Sequence, residues 1–125
     1  MTPTPCPDQS YVYSGFVTRV IDADTLEIDV DLGFHLKTKQ HFRLVNVNAP
    51  EMRGDQREAG LAAKQYAMDR LLLKEVVIRT AKADSFGRWL AHVWILNYKF
   101  EADDFNAELV NLGYAIPYRD GKGGA

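Results

Sequence analysis

Four short stretches carry side chains able to do more than fold. Asp22-Ala23-Asp24-Thr25 sets two carboxylates on one tight turn. Paired carboxylates there can hold a hard cation such as Ca2+, which takes oxygen ligands at about 2.3–2.6 Å. Arg43 interrupts an apolar run made of Phe42, Leu44, Val45 and Val47, and arginine is rarely buried without a partner. Asn48-Ala49-Pro50-Glu51 ends that run with a proline and throws Glu51 onto a loop. A loop carboxylate on a rigid scaffold is a fair candidate for acid–base work. Asp84-Ser85-Phe86-Gly87-Arg88 is a turn between two apolar runs with an arginine at its exit.

Taken singly, each stretch also has a plain reading. Aspartates are common in turns. Arg43 could pack its stem at a sheet rim and keep its head in water. Glu51 sits in a charged stretch with Arg53, Asp55, Arg57 and Glu58. Arg88 could be a surface charge beside a hairpin. The histidines His35, His41 and His92 have no metal-ligand spacing, and the chain lacks G-x-S-x-G, H-E-x-x-H and P-loop motifs.

The elements that must position these residues are readable from periodicity. Gly15 to Ile21 is a mixed β run. Thr25 to Leu32 alternates strictly, with Leu26, Ile28, Val30 and Leu32 on one face and Thr25, Glu27, Asp29 and Asp31 on the other. That is a half-buried strand, and the break at 22–24 joins it to the first as a hairpin. Gly33 opens the next turn. A third strand is expected over His41 to Val47, ended by Pro50. Asp55 and Glu58 have the spacing of a capping box, so a helix is expected from about Asp55 to Leu73, with Leu61, Met68, Leu71 and Leu72 on its apolar face. Strands follow at Glu75 to Thr80 and Trp89 to Leu96. Asn97-Tyr98 then turns the chain into a short strand at Lys99 to Ala102. A second helix spans Asp104 to Leu112 and stops at Gly113. The expected fold is α+β and mainly β: a five-stranded OB-type barrel with a helix between strands 3 and 4 and a C-terminal helix.

Size and charge bound the function. The 125 residues suit one domain, with 46% hydrophobic and 26% charged residues. That domain is expected at 11–118, between flexible tails at 1–10 and 119–125. The single cysteine, Cys6, excludes an internal disulfide and a cysteine-rich zinc site. No apolar run approaches the roughly 20 residues that span a bilayer. The first ten residues lack the basic and apolar regions of a signal peptide, so a cytoplasmic monomer is expected, or a secreted one had a leader preceded Met1. A net charge of −2 argues against coating nucleic acid by bulk positive charge. It leaves room for an enzyme that grips one phosphate with a few placed arginines.

Together the motifs resemble the staphylococcal-nuclease-like (thermonuclease) family, from about Gly15 to Tyr118. The carriers are Val20-Ile-Asp-Ala-Asp-Thr25, Phe42-Arg-Leu-Val-Asn-Val-Asn-Ala-Pro-Glu51, Asp84-Ser-Phe-Gly-Arg88 followed by Leu90-Ala91, and Asn106-Ala-Glu-Leu-Val-Asn-Leu-Gly-Tyr-Ala115. By this resemblance Arg43 and Arg88 are the catalytic arginines and Glu51 the catalytic carboxylate. Asp24 is a Ca2+ ligand, Asn48 stands where a second carboxylate ligand is usual, Ala49 supplies a backbone carbonyl, and Asp22 lies beside the metal. The implied activity is calcium-dependent hydrolysis of phosphodiester bonds in DNA, with RNA as a second substrate class. The alternative is a non-catalytic nucleic-acid- or protein-binding module on the same barrel. A degenerate module should have lost Arg43, Glu51 or Arg88, and all three are present.

The departures from the family pattern are specific. Asn48 removes one negative charge from the metal site, which implies weaker Ca2+ affinity. Ser85-Phe86 replaces a lysine-tyrosine pair that touches a terminal phosphate in the best-known members. Tyr118 lies one position away from a nucleotide-stacking tyrosine.

Overall fold

The computed structural model describes residues 3–5, 11–83, 87–96 and 101–118, with backbone alone for 81–83. The expected turns at Asp84-Ser85-Phe86 and Asn97-Tyr98, residue Lys99 and most of both tails lie outside the described residues.

The strands are β1 (Val12–Asp22), β2 (Thr25–Gly33), β3 (Leu36–Leu44), β4 (Val47–Asn48), β5 (Glu75–Ala83), β6 (Trp89–Leu96), β7 (Ala102–Asp104) and β8 (Ile116–Pro117). The helices are α1 (Arg57–Leu71), preceded by a 3-10 turn at Gly54–Gln56, and α2 (Phe105–Asn111). β1 is long enough to serve two neighbours. Its first half pairs antiparallel with β5 and most of its length with β2, with register shifts between Val17 and Arg19 and between Val20 and Asp22. Such bulges bend a strand and let a sheet curl. β2 pairs with β3, and β5 with β6. The ring closes where β3 runs parallel to β6, with Phe42 opposite Trp89, Arg43 opposite Leu90 and Leu44 opposite Ala91. The result is the five-stranded barrel β1-β2-β3-β6-β5 expected from the sequence. β7 extends its β6 edge, and β4 pairs separately with β8.

Inward positions fill the barrel with Val17, Val20, Leu26, Ile28, Val30, Phe42, Leu44, Ile78, Val93 and Ile95. The alternation of β2 is realised with two differences. Leu32 reaches the barrel mouth and stays 42% exposed, while Thr25, on the supposedly wet face, is buried under the turn. The third strand was expected at His41 to Val47 but runs from Leu36 to Leu44. Its first half carries Lys37, Lys39 and His41 outward and the polar Thr38 and Gln40 toward the mouth, so no apolar alternation announces it. Its end comes early because the chain turns through Asn46, at φ 64°, before β4; asparagine tolerates this left-handed region. At the other end of β3, Gly33, Phe34 and His35 all have positive φ, and Phe34 is 94% exposed.

The capping box does not form. Asp55 falls inside the 3-10 turn, Gln56 holds the N-cap position, and no side chain caps the helix. The apolar face is also different. α1 buries Gly60, Ala63, Ala67 and Leu71, while Leu61 is exposed. Of the expected residues, Leu71 is buried and Met68 and Leu72 pack partly against the core; small side chains let the helix lie close on its support, so Gly60, Ala63 and Ala67 make the rest of the contact. α2 starts as read: the Asp104 side chain accepts the Ala107 N–H at 3.0 Å, and Gly113 at φ 83° ends it.

The two helices are clamped together. Tyr66 stacks on Tyr114 at 4.5 Å between ring centroids and donates its hydroxyl to Glu108. Arg70 meets both oxygens of Glu108, at 2.7 and 2.9 Å. The Tyr66 phenol is pushed up to about 12 by burial and by the adjacent carboxylate. Glu108 is held below the usual carboxylate range: burial opposes this, but the hydrogen bonds from Arg70 and Tyr66 outweigh it. The short carrier motif in α2 has a structural tie of its own. Buried Asn106 accepts the Val93 N–H at 3.0 Å and donates to the Val45 and Ala91 carbonyls, joining α2, β6 and the turn after β3.

Candidate active site

The β1–β2 turn, the end of β3, β4 with its following loop, and the start of β6 meet at one rim of the barrel. There a cavity of about 160 Å³ is lined by Asp22, Asp24, Thr25, Arg43, Asn48, Ala49, Pro50, Glu51, Met52 and Arg88. All seven residues singled out in the sequence thus face one hollow, although the chain distance from Asp22 to Arg88 is more than half its length.

Arg43 sits opposite Thr25 in the β2–β3 ladder. Its side chain is only 11% exposed. Nη1 donates to the carbonyls of Leu44, at 2.8 Å, and Val47, at 2.7 Å, and Nη2 donates to Asn48 Oδ1 at 3.2 Å. The guanidinium is therefore held by the turn that follows its own strand. Tyr118 adds a face, its ring centroid 5.8 Å from the guanidinium carbon, and its N–H donates to the Asn46 carbonyl.

Asp24 is buried. Its Oδ2 accepts the Ala49 N–H at 2.8 Å and lies 3.7 Å from Arg43 Nη1; its Oδ1 accepts the Thr25 hydroxyl at 3.1 Å. Asp24 thereby links the β1–β2 turn to the Glu51 loop. Glu51 is exposed at the cavity, and its own N–H donates to Gln56 Oε1 at 2.9 Å. Asp22 has its carboxyl raised above the usual value, first by burial and then by the negative charge of Asp24, with Glu51 adding to it; Lys64 and Arg88 oppose the shift. Arg88 is half-buried and enters from β6.

The set suits a hard cation, short of one charge. Among the described residues no three carboxylate, imidazole or thiolate side chains are disposed to hold a metal. The donors are mixed instead: the Asp24 carboxylate, the Asn48 amide oxygen and the Ala49 carbonyl, all oxygens. Asp24 Oδ2 accepts the Ala49 N–H and Asn48 Oδ1 accepts from Arg43, and each oxygen carries a second lone pair. That chemistry fits Ca2+ better than a soft metal.

Three residues escaped the sequence reading. Thr25 was assigned to the wet face, Gln56 lies inside the expected capping box and was given no role, and Lys64 is one of several lysines with no distinguishing spacing. A larger cavity, about 530 Å³, lies inside the barrel mouth by the β2–β3 hairpin, lined by Tyr11, Tyr13, Leu32, Phe42 and Trp89 among others. Among the described residues that line it none is charged.

Residues 41–123 match the family described as staphylococcal nuclease homologue. The chain is 32% identical to Protein ParB of Escherichia coli over 84% of its own length and 57% of that protein's. It is 31% identical to an uncharacterized protein of Methanocaldococcus jannaschii over 85% of its own length and 59% of that protein's. The chain thus spans a little over half the length of the curated relatives it matches.

Proposed function

Because the chain belongs to the family of staphylococcal nuclease homologues, we propose that it is a calcium-dependent nuclease hydrolysing phosphodiester bonds of DNA, with RNA as a second candidate substrate. The observation that carries this reading is the convergence of Arg43, Arg88 and Glu51 on one cavity beside Asp24.

The chemistry asks for three things. A water must attack phosphorus, and Glu51, exposed at the cavity, is the group to orient that water and take its proton. The five-coordinate transition state carries extra negative charge on its oxygens. Two guanidiniums meet such oxygens with charge-assisted hydrogen bonds, and Arg43 is fixed in advance by two backbone carbonyls, so it need not reorganise. Arg88 approaches from the neighbouring parallel strand. When bound, Ca2+ would supply Lewis-acid polarisation of a phosphoryl oxygen, held by Asp24, Asn48 and the Ala49 carbonyl, with Asp22 beside it. The Asp22 carboxyl is raised first by burial and then by the charge of Asp24; a cation held there would offset that second contribution.

The test is cleavage of heat-denatured DNA in Ca2+ and in EDTA, with Glu51→Gln in parallel. We expect cleavage in Ca2+ alone, and a loss of roughly 10²–10³ in rate for Glu51→Gln. A wild-type protein that binds the DNA but fails to cleave it, whichever divalent ion is supplied, would instead support the binding-module reading.

A further inference from the structure

We propose that Gly60 is a positioning residue for Glu51, acting with Gln56 to hold the carboxylate loop at the distance hydrolysis needs. This rests on the reading of Glu51 as the carboxylate that activates water.

Gly60 is the fourth residue of α1 and is buried. It is not among the glycines with positive φ, so its backbone conformation does not demand glycine. Alanine is the better helix former at such a position. What glycine provides is closeness. A Cβ there would lie 2.3 Å from the Glu51 carbonyl oxygen, 2.7 Å from its carbonyl carbon and 2.9 Å from the Pro50 carbonyl oxygen. All three are backbone atoms, which cannot swing aside as a flexible side chain would. Ordinary contact begins at 3.4 Å, so the loop or the helix must move by about 1 Å to admit one methyl group.

The other ties confine where that movement goes. The Ala49 N–H is held by Asp24, and the Glu51 N–H by Gln56, the residue immediately before α1. The loop is thus anchored at Ala49 to the metal-side carboxylate and at Glu51 to the helix entry, with Gly60 as the floor beneath it. Pushing the floor up shifts Glu51 relative to Asp24 and Arg43. A misplacement of about 1 Å can lower a rate by about 10²-fold.

The experiment is a double-mutant cycle on single-stranded DNA with Ca2+, using Gly60→Ala, Gln56→Ala, Glu51→Gln and each pair with Glu51→Gln. Hydrogen exchange at the Glu51 amide is measured alongside. We expect Gly60→Ala to lower kcat by roughly 10–10²-fold with KM changed less than about twofold, and Gln56→Ala to lower kcat several-fold. In the Glu51→Gln background either change should cost less than about twofold, because the group they position is gone. Glu51 amide exchange should rise about tenfold in both single variants. A wild-type kcat in Gly60→Ala, or an equal loss with and without Glu51, would overturn the proposal. Should Gly60→Ala not fold, Gln56→Ala carries the same cycle without crowding. Should the wild type not cleave DNA, the nuclease reading fails, while the amide exchange still decides positioning: faster exchange upholds it and unchanged exchange overturns it.

Discussion

Two clusters of arginine and carboxylate among the described residues are built in opposite ways. In the helix clamp, Arg70, Glu108 and Tyr66 satisfy one another, and each holds its partner in the state that bonds. At the barrel rim the charges are held mainly by backbone: Arg43 by the Leu44 and Val47 carbonyls, Asp24 by the Ala49 N–H. The two rim groups stand 3.7 Å apart, beyond hydrogen-bond distance. The clamp, which Arg70 extends to Asp103 Oδ2 at 3.4 Å, turns its charges on one another and stabilises. The rim is a pre-arranged set whose remaining capacity faces a cavity, at some cost in repulsion between Asp22 and Asp24.

The sharpest way to break this comparison is to delete one arginine from each. Arg88→Ala should lower the rate of DNA cleavage by roughly 10²–10³ while leaving the melting temperature nearly unchanged. Arg70→Ala should cost about 1–2 kcal/mol of stability in urea unfolding and leave cleavage per folded molecule within about twofold. A rim variant that loses stability instead of rate would show the rim to be a second clamp.

Asn48→Asp tests the missing charge. It should lower the Ca2+ concentration for half-maximal cleavage several-fold, by adding a carboxylate to the donor set. An unchanged or raised concentration would remove position 48 from the ligands.

The smallest effects carry opposite signs. The Glu108 carboxyl is lowered in the folded protein, so its contribution is present above the unfolded value near 4.5 and is lost as pH falls through its folded value. Glu108→Gln should therefore cost about 1 kcal/mol at pH 7, a difference that fades on acidification. Asp22 is raised, so its charged form is a penalty at pH 7 that protonation relieves. Asp22→Asn should gain about 0.5 kcal/mol at pH 7, and that gain should fade on acidification as well. Melting temperatures from pH 7 to pH 3 check both; a loss of stability in Asp22→Asn at pH 7 would contradict the assigned repulsion.

The barrel was legible where burial is one-sided. Leu26, Ile28 and Val30 declare a strand because one face meets the core and the other water. The first half of β3 was not legible, since Thr38 and Gln40 point into an open mouth and Lys37 and Lys39 into solvent. The helix was legible in extent and in part of its face: Leu71 is buried as expected, but close packing adds Gly60, Ala63 and Ala67 and leaves Leu61 outside. The rim residues were visible as types and as a resemblance. Their supports were not: Gln56 holding the Glu51 amide, or Lys64 facing Asp22, depends on how distant segments meet. The Tyr66–Arg70–Glu108 clamp went unseen for the same reason, with Arg70 and its carboxylate 38 positions apart in the chain.

The parallel pairing of β3 with β6 has an evolutionary consequence. Arg43 lies opposite Leu90, and Arg88 is two residues before it on the same chain. Arg88 immediately precedes this ladder, whose first pair is Phe42 with Trp89, so the register sets where the backbones of the two arginines stand relative to one another. A change of chain length before Gly87 leaves that register as it is. A single-residue slip within the ladder would instead turn every side chain of β6 to the opposite face. The length of the connection can drift in such an arrangement while the backbone register beside the two arginines is inherited unchanged.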